Sequence, residues 1–336
     1  MKAAVFHGIR DIRIEHIEDP VFEGSEVLLR PHYCGICGSD LDAWNRGMYV
    51  EGVVLGHEFS AEVIDTGPEV VNWRKGDRVV VNSIVPCGRC KFCQKGRYSL
   101  CDDMRMPGIS MNGGLAELVV APEECLISVP DTVSMKEAAL TEPLSVVLHG
   151  FNLITFKPGM KVLVIGAGTI GLFALQVAQL SGATFTAVSE VNPFRRTIAN
   201  KLGADLVVDP LNSNISFAFE QKAKQLPDVV IECSGVSAAA SETFSLVQKG
   251  GIILVLGLSE DIVEADFMTS VLNELQIQFS YCGYSEFPLA VELMAKKMVD
   301  PNPLITQEIL LDDTEKGFQE LTSPHTEQVK MLVKID

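Results

Sequence analysis

Four cysteines crowd into one short stretch: Cys87, Cys90, Cys93 and Cys101, with the spacing C-x2-C-x2-C-x7-C. Four thiolates on one loop can close a tetrahedral shell around zinc and leave no position open, so this set predicts a structural metal site. An iron–sulfur cluster is the chemical rival, because bacterial ferredoxins open with C-x2-C-x2-C and then place the last cysteine after x3, before proline. Here seven residues separate Cys93 from Cys101, and Asp102 follows. The chain carries nine cysteines, an odd number, and its N-terminus, MKAAVFHGIRDIRI, lacks the long apolar run of a secretory signal. Clustered cysteines in that setting point to metal rather than to disulfides, and a cytoplasmic protein is expected.

A second set of metal-ligand types is scattered. Cys37 lies in Cys34-Gly35-Ile36-Cys37-Gly38-Ser39-Asp40, His57 and Glu58 in Gly56-His57-Glu58, and Glu142 before Pro143. Thiolate, imidazole and carboxylate are the donors of an open, catalytic zinc site. Spacing alone cannot bring them together. A lone histidine is usually a satisfied core or surface residue, Glu142 could simply favour a helix N-terminus, and Cys34 with Cys37 could be a redox C-x-x-C.

Gly166-Ala167-Gly168-Thr169-Ile170-Gly171 is a G-x-G-x-x-G. It follows a β-branched run, opens an apolar helical stretch, and is followed by Glu190 at the end of the next expected strand, the context a dinucleotide fingerprint requires. Gly166 would make the tight turn, Gly168 would admit the pyrophosphate to the backbone, and Gly171 would let helix pack on strand. The helix N-terminus supplies N–H groups and partial positive charge to the phosphates, with Ile170 in the same turn. Glu190 can accept hydrogen bonds from the adenosine ribose and would repel a 2′-phosphate, so NAD is expected, with NADP as the alternative. Arg195 and Arg196 could pair with that phosphate or belong to a solvated helix face.

These residues need two kinds of scaffold. The first 130 or so residues show short Val-, Ile- and Leu-rich runs at 2–6, 26–31, 59–65, 78–81 and 116–120, separated by Gly, Pro and Asp clusters, and predict a β-rich, barrel-like region with long loops. Ser134 and Glu137 have capping-box spacing, and Glu142-Pro143 predicts a second helix start with proline first. Strands expected at 161–165, 185–189, 206–208, 229–232 and 252–256 alternate with helical stretches, the rhythm of a parallel, doubly wound sheet. A last strand is expected at 276–281. The remaining residues carry a helix and a terminal strand that can return to the first region.

A length of 336 residues suits two domains, and 47% hydrophobic with 21% charged residues is globular composition. The net charge of -17 repels phosphate backbones and anionic membranes, so a small neutral substrate is expected rather than nucleic acid. The uncharged stretch 162–189 is long enough to span a bilayer. Its glycines, glutamines and strand-turn-helix-strand rhythm predict a buried βαβ unit instead.

Taken in order, Cys-Gly-Ser-Asp at 37–40, Gly-His-Glu at 56–58, the four-cysteine lobe, Glu-Pro-Leu at 142–144 and the glycine motif at 166–171 resemble the zinc-containing medium-chain dehydrogenase/reductases over essentially the whole chain. Glu-Pro-Leu looks like the sorbitol, butanediol and threonine dehydrogenase branch. The resemblance implies an α/β plus β protein: a GroES-like catalytic domain at 1–150, completed by about 285–336, and a Rossmann domain at 151–284. It also implies one catalytic and one structural zinc per subunit. Cys37 and His57 would be catalytic zinc ligands, Glu58 and Glu142 the carboxylates that ligate zinc or hold its water, and Ser39 the hydroxyl that takes the proton of the alcohol. Hydride would pass between NAD(H) and an alcohol or ketone; an NADPH-linked reductase or a non-catalytic zinc-binding protein are the alternatives. The strand near 276–281 commonly pairs between subunits in such proteins, implying a homodimer or homotetramer. Three positions depart from the pattern: Asp42 stands where many relatives have histidine, Ala61 where glycine is common, and Ser280 where sorbitol dehydrogenases have arginine. The last favours a smaller secondary alcohol, a vicinal diol or a hydroxy amino acid. Trp44, Tyr49 and Phe59 are candidates for pocket lining or for ordinary packing.

Overall fold

A computed structural model describes residues 1–336 apart from 260, 324, 325 and 336. The chain divides into two units, one of Met1–Ser145, Tyr284–Lys297 and Ile305–Asp336, the other of Val146–Gly283 and Met298–Leu304.

The first unit is built on a seven-stranded sheet. Its path runs Ile305–Leu310, Lys330–Lys334, Glu26–Gly35, Glu58–Thr66, Arg78–Val81 and Leu126–Ser128, with Val119–Pro122 pairing Glu26–Gly35 off that path. All pairs are antiparallel except Ile305–Leu310 with Lys330–Lys334. A separate hairpin joins Lys2–Gly8 to Asp11–His16. β-Branched residues suit these pleated surfaces, and Val27, Leu29, Ala61, Val63, Val79, Val81 and Val333 bury their side chains in one core. The run expected as a strand at 116–120 is divided. Leu115 and Glu117 bond to the first hairpin through Ala4 N–H and Lys2 C=O, and pairing with Glu26–Gly35 begins only at Val119.

Ser134 caps the short helix Met135–Ala138 with the Glu137 box in place. The next helix, Thr141–Asn152, starts two residues before Pro143 rather than at it. Amides of the first turn have no acceptor within the helix, so proline is tolerated there.

The second unit is a six-stranded, all-parallel sheet in the order Leu206–Val208, Phe185–Ser189, Lys161–Ile165, Val229–Glu232, Ile252–Val255, Gln276–Phe279. Strand order reverses about the central Lys161–Ile165, which creates the crevice where doubly wound sheets bind ligands. The uncharged stretch 162–189 is spent on two strands and the helix Thr169–Leu180. No helix among the described residues is long and apolar enough to cross a membrane.

Candidate active site and metal centres

Three neighbouring strands assemble the scattered set. Glu26–Gly35 lies between Glu58–Thr66 and Lys330–Lys334, and Gly35 stands opposite both Glu58 and Leu332. The chain then turns at Ile36 into the helix Gly38–Arg46, with Cys37 at its N-cap. His57 directly precedes the paired strand. Ligand atoms of Cys37, His57 and Glu58 lie within 4.8 Å of one another. Gly35 makes this possible, because a Cβ there would fall 2.3 Å from Glu58 Oε2.

Each donor has a buried support. Lys330 Nζ donates to Glu58 Oε2 at 2.6 Å and to the Ile36 carbonyl at 2.9 Å. Burial disfavours that ammonium, but the negative charge of Glu58 and Cys37 outweighs it and raises the Lys330 pKa. The Asp40 carboxylate accepts the Cys37 N–H at 2.9 Å and faces His57 Nδ1 at 3.5 Å. His57 Nδ1 and Asp40 Oδ1 are buried with no hydrogen bond of their own. The imidazole, although desolvated, is pushed well above its usual pKa by Asp40 and Cys37. Its Nε2 is turned toward Ser39 Oγ, 3.5 Å away. A carboxylate behind the imidazole of a histidine that lies within 4.8 Å of the Cys37 and Glu58 ligand atoms is the arrangement that orients a metal-binding histidine.

Ser39 Oγ donates to Cys37 Sγ at 3.3 Å and accepts from the Tyr49 hydroxyl at 3.1 Å. Glu142, in the first turn of Thr141–Asn152, accepts from Ser83 Oγ at 3.0 Å. Burial pushes its carboxyl up to about 7, with His57 opposing and Glu58 adding. It stands beside the Cys37, His57 and Glu58 group without joining it. Cys34 is fully buried, and burial raises its thiol well above the usual range. A redox pair with Cys37 needs an accessible thiolate, and Cys34 and Cys37 are not joined in a disulfide.

The four sulfurs of Cys87, Cys90, Cys93 and Cys101 also lie within 4.8 Å of one another. Backbone amides turn inward onto them: Cys87 N–H meets Cys101 Sγ at 3.2 Å, and Cys90 N–H meets Cys87 Sγ at 3.4 Å. The amides of Cys93 and Asp102 lower the Cys90 thiol, whereas burial raises that of Cys93. Both donor sets fit zinc: an all-thiol cage at the lobe, and a mixed sulfur, nitrogen and oxygen set at the other.

The glycine motif connects Lys161–Ile165 to Thr169–Leu180. Gly166 has φ +91°, a Cβ on Gly168 would meet nothing within 4 Å, and one on Gly171 would fall 1.8 Å from Gly166 O. The three glycines thus serve turn, open approach and packing, and the cradle fits a pyrophosphate. Ile170 is half-buried in the first helical turn. Glu190, also buried, accepts from Ala167 N–H at 2.6 Å and Asn192 N–H at 2.7 Å. Arg196 is tied to the carbonyls of Glu190 and Val191 and to Asp209, while Arg195 is half-buried one residue earlier. Arg196 is therefore committed to the loop rather than offered to a phosphate.

Sequence reasoning did not single out Lys330, Ser83 or the Asp40 carboxylate, and left Tyr49 undecided. A lysine in an otherwise apolar terminal strand and a serine after Asn82 carry no local signal of a distant carboxylate. Asp40, three residues beyond Cys37, was legible as a helix cap. Trp44 and Phe59 are core residues, Trp44 meeting Phe318 edge-on at 6.2 Å.

This fold and these donor sets define a metal-dependent nucleotide-linked dehydrogenase, and comparison agrees. Residues 23–131 match the alcohol dehydrogenase GroES-like domain and residues 169–296 the zinc-binding dehydrogenase domain. The chain is 32% identical to sorbitol dehydrogenase of Gallus gallus over 99% of its length and 96% of that protein. The crystal structure of 2R,3R-butanediol dehydrogenase from Bacillus subtilis superposes with a TM-score of 0.92 at 32% identity, covering 100% of this chain and 99% of that one. An NADP-bound structure from Sinorhizobium meliloti, described as a zinc-binding dehydrogenase, gives a TM-score of 0.93 at 31% identity, covering 99% and 98%. The chain belongs to the zinc-dependent medium-chain dehydrogenases and is an oxidoreductase.

Proposed function

We propose that the protein oxidises a small secondary alcohol, vicinal diol, polyol or hydroxy amino acid to the carbonyl compound with NAD as hydride acceptor, and runs the reverse reduction. The observation that carries this reading is the convergence of Cys37, His57 and Glu58 within 4.8 Å, with the Ser39 hydroxyl against the same atoms. Similarity to sorbitol and butanediol dehydrogenases supports a diol or polyol over a primary alcohol.

Cys37, His57 and Glu58 would hold the catalytic zinc, Glu142 standing by as a second carboxylate, and Cys87, Cys90, Cys93 and Cys101 a structural one. When bound, the catalytic zinc supplies Lewis acidity toward a hydroxyl or carbonyl oxygen, and the dinucleotide supplies the hydride-accepting carbon. Ser39, which is only half-buried, would accept the hydroxyl proton at Oγ as it releases its own to water. Asp40 holds the His57 ring, and Lys330 offsets the charge of Glu58. Amides after Gly166, with Gly168, Ile170 and Gly171, receive the pyrophosphate. Glu190 accepts from the ribose and disfavours a 2′-phosphate, with Arg195 at its rim.

The reading takes residues 1–150, completed by 285–336, as the catalytic domain and 151–284 as the dinucleotide-binding domain. It places the protein in the cytoplasm as a homodimer or homotetramer. Gln276–Phe279 is an edge strand, and Phe267, Met268, Val271, Leu272 and Phe279 beside it are at least 70% exposed, which suits pairing with a second copy.

The test is a dehydrogenase screen of the zinc-loaded protein over secondary alcohols, vicinal diols, polyols and threonine, following NADH and NADPH. Turnover of one class with NAD is expected. A preference for NADP would overturn the role given to Glu190, and no turnover with any class would overturn the reaction.

A further inference from the structure

One buried hydroxyl beside the reacting group is left over from that scheme. Tyr49 lies in the loop after the helix Gly38–Arg46, between Met48 and Val50, which are 55% and 59% exposed, yet it is itself only 9% exposed. The loop is held on both sides. Gly47 ends the helix in a left-handed conformation with its N–H on Ala43 O, and Phe6 exchanges hydrogen bonds with Gly52 and Val53. The Tyr49 ring meets Phe6 edge-on at 6.2 Å. Such anchoring gives the phenol one position, and from it the hydroxyl donates to Ser39 Oγ at 3.1 Å.

That bond decides what Ser39 can do. A hydroxyl oxygen has two lone pairs and one proton. With one lone pair taken by Tyr49, the proton of Ser39 is directed away from the ring, to the side where it meets Cys37 Sγ at 3.3 Å and His57 Nε2 lies at 3.5 Å. The second lone pair stays open for a substrate hydroxyl. Burial raises the pKa of the phenol, and its hydroxyl stands in donor geometry to Ser39 Oγ. Without it Ser39 is free to turn about its Cα–Cβ bond.

We infer that Tyr49 is a positioning residue for the alcohol–ketone reaction, its hydroxyl holding Ser39 in the rotamer that faces the substrate oxygen. The inference rests on the reaction proposed above and on Ser39 acting in it.

The experiment is steady-state kinetics of zinc-loaded Tyr49→Phe, Ser39→Ala and the double variant, with the alcohol that the wild-type protein turns over best. Phenylalanine keeps the ring contact with Phe6, and an unchanged Tm and zinc content check the fold. Tyr49→Phe is expected to lower kcat about tenfold, the scale of one hydrogen bond lost from a transition state, while KM for NAD stays unchanged. In the Ser39→Ala background, removing the Tyr49 hydroxyl is expected to cost nothing further, because its effect runs through Ser39. Additive losses would overturn the inference, as would a Tyr49→Phe enzyme with wild-type kcat. Should Tyr49→Phe lose stability, the same cycle with Ser39→Ala, read at a temperature where all three variants stay folded, decides: a Tyr49→Phe loss that vanishes in the Ser39→Ala background supports the inference, and an undiminished loss there overturns it. A wild-type protein inactive on every alcohol would instead strike the reaction, and this inference with it.

Discussion

The two candidate metal-ligand sets differ in how far apart their members and supports lie along the chain. The lobe draws all four sulfurs from positions 87 to 101, whereas the mixed set joins Cys37 at a helix N-cap to the consecutive pair His57 and Glu58 at a strand start, and leans on Lys330 from the last strand. A short loop closes at little entropic cost, so the lobe needs few outside contacts to form its cage. The mixed set exists only when three strands are in register, and each donor must be held by a buried partner: Asp40 for His57, Lys330 for Glu58, Ser83 for Glu142. A local site is suited to holding structure, and a distributed one to holding a geometry that other parts of the molecule can tune.

If this contrast is right, damage to the two sets should separate. Cys37→Ala is expected to reduce turnover about 1,000-fold or more while the lobe keeps its metal, so that metal analysis drops by one equivalent and folding persists. A variant that keeps turnover would break the comparison outright. Cys93→Ser should do the reverse, opening the cage and lowering Tm by about 10 °C, with loss of activity following loss of structure. Calorimetry alongside metal analysis checks it.

Finer tests address the supports. Lys330→Met strands Glu58 as a buried charge and is expected to destabilise the fold by about 3–5 kcal/mol in urea unfolding. Adding Glu58→Gln should recover most of that stability but none of the turnover. Ser83→Ala removes one neutral donor from Glu142 and is expected to cost about 1 kcal/mol, with a smaller kinetic effect than either ligand variant. A Ser83→Ala enzyme as impaired as Cys37→Ala would mean that Glu142 carries more of the site than its position suggests.

The second unit was the more legible half in sequence. Its strands at 161–165, 185–189, 206–208 and 229–232 are found where expected, because a doubly covered parallel strand is an uninterrupted apolar run. The terminal bounds of the sheet shift: the last two strands end at Val255 and Phe279, short of 256 and 281. In the first unit the run at 116–120 misled, since half of it bonds to the hairpin and half to the sheet, and apolar alternation does not name a partner. Proline at 143 misled in the same way, as the first helical turn accepts it at more than one position.

Residue types and short spacings by themselves determined the thiol cage, the glycine cradle and the alternation of strand and helix, because each depends on contacts within a few turns of chain. Only the tertiary structure decided that Gly35 sits opposite Glu58, that Lys330 lies against the same carboxylate, and that Tyr49 turns inward to Ser39. Strand register and loop anchoring set those meetings. Both are settled by the fit of the whole core, to which no single segment holds the key.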